Sequence, residues 1–278
     1  MINFLQSLSP VAFNLGPFSV RWYGIIIMTG VIVAVLMATS EAKKRQIMPD
    51  DIIDLLFFIL PIGFIGARLY YVAFQWPEYA QDPAKIFMIW QGGIAIYGGL
   101  IAGLITLIVY TYYRHLPTWL LLDVITPGVM LAQIMGRWGN FMNQEAYGAV
   151  TSLDFLKGLH LPDFIIQQMF IDGAYRQPTF LYESFFNLIG LILILVLRHK
   201  HVFKQGEVAL SYVLWYSIVR FFVEGMRTDS LLLGSIRVSQ ALSAILFVVV
   251  VGIMIYRRKV VKPKEYIEGS GFKFPYER

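Results

Sequence analysis

The stretch Tyr212-Val213-Leu214-Trp215-Tyr216-Ser217-Ile218-Val219-Arg220-Phe221-Phe222-Val223-Glu224 decides how this chain folds. It sits in a longer apolar run, 207–225. About 20 such residues cross the hydrocarbon core of a bilayer as a helix. Yet Tyr212, Tyr216, Arg220 and Glu224 recur every fourth residue, so a helix stacks them into one polar ridge. A charge inside a span costs about 2.5–3.5 kcal/mol on insertion scales, so the ridge must face a cavity or a second ridge.

Six further apolar stretches accompany this one, at 22–40, 52–74, 92–113, 118–136, 179–197 and 236–256. The 278 residues are 57 % apolar and 15 % charged, with a mean hydropathy of +0.62. Apolar residues gathered in long blocks exclude one water-soluble core. The sequence predicts a single all-α polytopic membrane domain over 1–278, with about seven transmembrane helices. The fourth span carries Pro127 and Gly128 and is predicted to kink there. The segment before Arg21 holds Pro10 and Pro17 and reads as a short interfacial piece. No removable signal peptide is expected at Met1–Gln6, which lacks a basic start.

Basic residues set the orientation. Lys43, Lys44 and Arg45 follow the first span, Arg114 and His115 the third, and Arg198, Lys200 and Lys204 the fifth. Arg257, Arg258, Lys259, Lys262 and Lys264 follow the seventh and begin a basic tail, 257–278. The positive-inside rule puts that tail in the cytoplasm and the N-terminus outside. The net charge of +5 is thereby explained as loop charge, with no nucleic-acid partner. The longest non-spanning piece, 137–178, becomes a small extracytoplasmic head between spans four and five.

Several charges fall within spans. They are Asp54 and Arg68 in the second, Asp123 in the fourth, Glu183 in the fifth, and Arg220 and Glu224 in the sixth. Gln133, Arg137, Asn140 and Gln144 make a second ridge if the fourth helix continues that far. Arg68, Arg137, Arg220 and Glu183 fall toward the outer side, with Arg21, Glu145 and Arg227 near the outer ends. Arginines gathered there invite an anion, and guanidinium suits phosphate. In a bilayer the phosphate at hand is a lipid head group. The glycine-rich run 92–103 lacks the Gly-Lys-Ser/Thr ending of a nucleotide loop. Gly99 and Gly103 in it have the spacing of close helix packing. The four histidines have no metal-ligand spacing, so neither metal nor cofactor is expected. With no cysteine in the chain, any thiol chemistry belongs to the substrate.

The segment Gly136-Arg137-Trp138-Gly139-Asn140-Phe141-Met142-Asn143-Gln144-Glu145 resembles the signature of the prolipoprotein diacylglyceryl transferase family. In order along the chain, so do Arg21-Trp22-Tyr23-Gly24, Gly66-Ala67-Arg68-Leu69-Tyr70-Tyr71, and Gly92-Gly93-Ile94-Ala95 leading to Gly98-Gly99-Leu100. Gln177-Pro178-Thr179-Phe180-Leu181-Tyr182-Glu183 and Arg220-Phe221-Phe222-Val223-Glu224-Gly225-Met226-Arg227 complete the set. The resemblance implies a seven-span enzyme of the bacterial cell membrane. It would move the diacylglyceryl group of phosphatidylglycerol to the lipobox cysteine thiol of a prolipoprotein signal peptide, releasing glycerol phosphate and forming a thioether. By the same resemblance, Arg137 contacts the phosphate, with Asn140, Asn143, Gly98, Gly148, Tyr23 and Tyr216 on the substrate. Glu145, Arg220, Arg227 and Tyr97 are the remaining catalytic candidates.

This chain departs from the family at two histidines. Tyr97 stands where many members carry histidine before the Gly-Gly of the third span, and Gln177 stands before the proline opening the fifth. A phenol with a pKa of about 10 is a poor base at neutral pH. The thiol proton therefore goes to another group, such as Glu145, or the thiolate is favoured by the arginines. We favour the second, with Tyr97 as a hydrogen-bonding group. A membrane transporter of an anionic or lipid substrate is the alternative reading; its usual inverted repeats do not appear in the sequence. A seven-span receptor does not suit the ordered matches, and a protease's paired aspartates or serine–histidine set is not apparent.

Overall fold

A computed structural model gives the fold, and it describes residues 8–228, 230–234 and 236–271. The start Met1–Gln6 and the end of the basic tail lie outside the described residues. The chain opens on a hairpin of β1 (Val11–Leu15) and β2 (Phe18–Arg21), followed by α1 (Trp22–Lys44). Next come α2 (Pro49–Phe74), the short α3 (Trp76–Tyr79), α4 (Ile96–Tyr113) and α5 (Thr118–Asn143). A head follows, made of β3 (Val150–Thr151), α6 (Leu153–Gly158), α7 (Asp163–Gln168), β4 (Phe170–Ile171) and β5 (Ala174–Arg176). The last part is α8 (Thr179–Leu197), α9 (Glu207–Met226), a hairpin of β6 (Leu232–Leu233) and β7 (Ile236–Arg237), and α10 (Val238–Tyr256).

Among the described residues seven helices are long and apolar enough to cross a membrane: α1, α2, α4, α5, α8, α9 and α10. The protein is an all-α polytopic membrane protein. The described residues form two compact units. One holds residues 8–37 together with 122–268; the other holds Ala38–Leu121 and residues 269–271.

In the second of these units, α2 packs along α4 through glycine. A Cβ on Gly66 would strike Ala102, and one on Gly98 would strike Tyr70 and the Gly66 carbonyl. Such close backbone approach is how helices associate where lipid removes the hydrophobic drive. The third span starts at Ile96, later than the expected 92. Gly92 and Gly93 have φ of 85° and 78°, which turns their carbonyls toward Arg68. The guanidinium of Arg68 donates to the carbonyls of Lys85, Ile86, Gly92 and Gly93 at 2.5, 3.0, 2.6 and 2.6 Å. Arg68 is thus a buried clamp on its own backbone. Gly98→Val is expected to wedge α2 from α4 and cost about 1–3 kcal/mol or more. Thermal unfolding in detergent would show it as a lowered midpoint; an unchanged midpoint would reject the packing role.

In the first unit, α1 lies on α5 by the same device. Gly30 faces Ala132, and Gly128 faces the Ala34 backbone, where a Cβ would come within 2.7 Å of the carbonyl. The helix is continuous through Pro127. Asp123, one of the charges within the fourth span, is fully buried. Its carboxylate accepts the backbone N–H groups of Gly206 and Ala209 at 2.5 and 2.9 Å, so it caps the start of α9 from a neighbouring helix. Beside it, Glu207 takes a two-pronged contact from Arg258 at 2.5 and 2.7 Å. His201 and Lys204 flank Glu265 and hold its carboxyl below the usual range, His201 more strongly.

The head has a small core of its own. Phe141, Leu156, Ile165, Ile166, Met169, Ile171 and Phe180 are buried together. Buried Gln168 donates to the Phe141 and Met142 carbonyls that end α5, at 3.2 and 3.4 Å.

Candidate active site

The fourth helix does continue past 136, to Asn143. Gln133, Arg137 and Asn140 therefore share one face of α5, as expected. Gln144 does not join them. It turns out of the helix at φ 54° and donates to the Gln168 carbonyl at 2.8 Å.

The two ridges meet on Glu183 of α8. Its side chain is 2 % exposed. Arg137 Nη2 lies 2.9 Å from Oε1, and Arg220 Nη1 lies 3.6 Å from Oε2. Gln133 Nε2 reaches Oε1 at 3.5 Å, and the Tyr212 hydroxyl donates to Gln133 Oε1 at 2.8 Å. Tyr216 stacks on Tyr212 with ring centres 6.1 Å apart. Arg220 also pairs with Glu224 one turn along α9, at 2.6 Å. Two guanidinium groups thus converge on one carboxylate, with a second carboxylate behind. The sequence placed Glu183 within a span but did not show that it joins the two ridges.

The four charges balance, which corrects the expectation of excess cation at this point. The free capacity lies on the other side of Arg137. Its Nη1 donates to the neutral Asn140 Oδ1 at 3.2 Å. Asn140 and Asn143 in turn donate to the two oxygens of exposed Glu145, at 3.4 and 3.3 Å. A phosphate oxygen displaces a neutral amide oxygen at far less cost than it displaces Glu183.

Gly148 binds this rim to the helices. Its N–H donates to the Gln177 carbonyl at 3.0 Å, and it bridges to Arg227 across the end of α9. A Cβ there would come within 2.9 Å of Gln177 and 3.2 Å of the Met226 carbonyl. Gly148 therefore holds Glu145, α8 and the Arg227 end of α9 in one arrangement. Tyr23 lies with its ring on Gly139 of α5, and only glycine admits it. Tyr97 and Gly98 belong to the other unit. Gly98 is accounted for by helix packing, and Tyr97 is 37 % exposed. No cluster of metal-binding side chains occurs among the described residues.

A family model described as prolipoprotein diacylglyceryl transferase matches residues 10–256. A protein of Lactobacillus johnsonii named phosphatidylglycerol–prolipoprotein diacylglyceryl transferase is 67 % identical over 98 % of this chain and 99 % of its own. A protein of the same name from Lactobacillus gasseri is 66 % identical, with the same coverage. One from Lactiplantibacillus plantarum is 55 % identical over 98 % of both chains. With most of its length matched in this way, the chain belongs to the prolipoprotein diacylglyceryl transferase family.

Proposed function

We propose that this protein transfers the diacylglyceryl group of phosphatidylglycerol to the lipobox cysteine thiol of prolipoproteins, the first step of lipoprotein maturation. The observation that carries the reading is the pair of arginines held on Glu183, with one donor edge of Arg137 facing only a neutral amide. The membrane is the bacterial cell membrane, with the N-terminus and the head outside and the basic tail in the cytoplasm. The alternation of basic loops supports that orientation.

In this mechanism the lipid phosphate takes the place of Asn140 Oδ1 on Arg137. The substrate thiol loses its proton, and the thiolate sulfur attacks the glycerol carbon that bears the phosphate oxygen. The carbon–sulfur bond forms as the carbon–oxygen bond breaks. The electron pair leaves with the phosphate, and glycerol phosphate departs as an anion. Arg137 and Arg220 stabilise that growing charge, while Glu183 keeps them in place before the lipid arrives. Arg227 closes the same region from the end of α9. The thiol proton goes to Glu145 or to water, with the arginines favouring the thiolate. Tyr23 and Tyr216 donate to the lipid, and Tyr97 serves as a hydrogen-bonding group.

The test supplies purified protein with phosphatidylglycerol vesicles and a lipobox peptide. Mass spectrometry should find the peptide heavier by one diacylglyceryl unit; a carrier would leave its mass unchanged. Tyr97→Phe should retain activity within about tenfold, because a lost hydrogen bond is worth about 0.5–1.5 kcal/mol. If that variant folded and bound lipid but had no activity at all, Tyr97 would be more than a hydrogen-bonding group.

A further inference from the structure

An apolar groove runs along α8 and α9 beside the polar ridge, and the chemistry above does not use it. Tyr182 and Phe186 form one wall; Trp215, Val219, Phe222 and Met226 form the other. The α9 residues recur at i, i+4, i+7 and i+11, a single stripe. It is turned about 100° from the ridge of Tyr216, Arg220 and Glu224. One helix thus presents charge on one face and an apolar channel on the next.

Both ends of the groove are defined. At one end Trp215 is fixed: its Nε1 donates to the Phe186 carbonyl at 2.9 Å. Its indole lies where a Cβ of Gly190 would be, so only glycine fits beneath it. At the other end Met226 also lines a second cavity of about 330 Å³. Arg227 and Arg237 are the charged residues lining that cavity, with no carboxylate among its described lining residues. Arg237 is anchored on the Gly225 carbonyl.

The lining and its charged end select the occupant. From Trp215 to Met226 the groove follows α9 for about 16 Å at 1.5 Å per residue, and it holds about 550 Å³ lined by apolar and aromatic side chains. A single extended hydrocarbon chain fits, and arginines at one end of it suit a phosphate.

We propose that this groove holds one acyl chain of the anionic phospholipid substrate, and that Trp215 is the stop that sets how long a chain it accepts. The inference rests on the reading of the protein as a phosphatidylglycerol-dependent transferase and adds its chain-length determinant.

Three proteins test it: the native chain, Trp215→Leu and Ile218→Trp. Each receives vesicles of phosphatidylglycerol with mixed chain lengths and a lipobox peptide. Trp215→Leu should shift the lipidated peptide toward longer chains, and Ile218→Trp toward shorter ones. The shift should be about fivefold or more, as expected when a packed site is opened or over-filled. Active variants with the native chain-length distribution would overturn the proposal. A second arm does not depend on the variants folding. The native protein is irradiated with phosphatidylglycerol carrying a photoactivatable mid-chain group. Labels on Trp215 or Phe222 support the groove; labels found only on other helices reject it. If the native protein formed no lipidated peptide, the transferase reading would fail, while the labelling would still decide whether lipid occupies the groove.

Discussion

Glu183→Ala is expected to abolish transfer and to leave little protein that survives extraction in detergent. Glu183→Gln is expected to fold and to lose most activity. The carboxylate is buried, lies 2.9 Å from Arg137 and 3.6 Å from Arg220, and joins α5, α8 and α9. Alanine would strand Arg137 beside the neutral amide of Asn140. Removing one partner of a buried pair costs about 3–5 kcal/mol. A protein's whole stability is typically about 5–15 kcal/mol, so the loss is a large share. Glutamine keeps the shape and one acceptor oxygen, so its penalty is smaller. Without the negative charge, however, the two guanidinium groups repel, and their spacing opens before lipid arrives. Size-exclusion profiles after heating, read beside the mass-spectrometric transfer assay, separate the two effects. An alanine variant with native melting and native activity would show that Glu183 does not organise the site.

The spans were legible because apolar length is a strong signal. Thr179–Leu197 matches its expected stretch at both ends, since Pro178 opens the helix and Arg198 follows it. The apolar stretch of the fourth span ends at 136, yet the helix runs to Asn143. Hydropathy stops at Arg137, whereas helical hydrogen bonding continues, because the polar face meets Glu183 and not lipid. The third span failed in the opposite sense. Its first four residues are apolar or glycine, but Gly92 and Gly93 spend their carbonyls on Arg68. The hairpin before α1 was legible only as a break, through Pro10 and Pro17. Both polar ridges were visible as spacing. What spacing cannot give is which carboxylate lies across from which arginine, since Glu183 is distant in sequence from both partners. Arg68 shows the same limit: an arginine in a span reads as an anion site until its hydrogen bonds are traced to four backbone carbonyls.

Arg137→Ala is expected to lower kcat/KM for transfer by about 10²–10³-fold while the protein still folds, the range seen when one donor to a developing anion is removed. Folding should survive better than in Glu183→Ala, because Glu183 keeps Arg220 beside it at 3.6 Å. The lysine variant sharpens the test. Arg137 uses two nitrogens at once, Nη2 on Glu183 and Nη1 on Asn140. An ammonium is a point charge and cannot hold both geometries. Arg137→Lys should therefore recover thermal stability, through its ion pair, without recovering activity. Asn140→Ala should weaken transfer less, because the amide only occupies the donor edge that the phosphate later takes. If Arg137→Lys restored native activity, charge alone would suffice and the two-nitrogen geometry would be irrelevant. If Arg137→Ala stayed within tenfold of native, the phosphate must be held by other cations, with Arg227 and Arg237 at the far end of α9 the next to test.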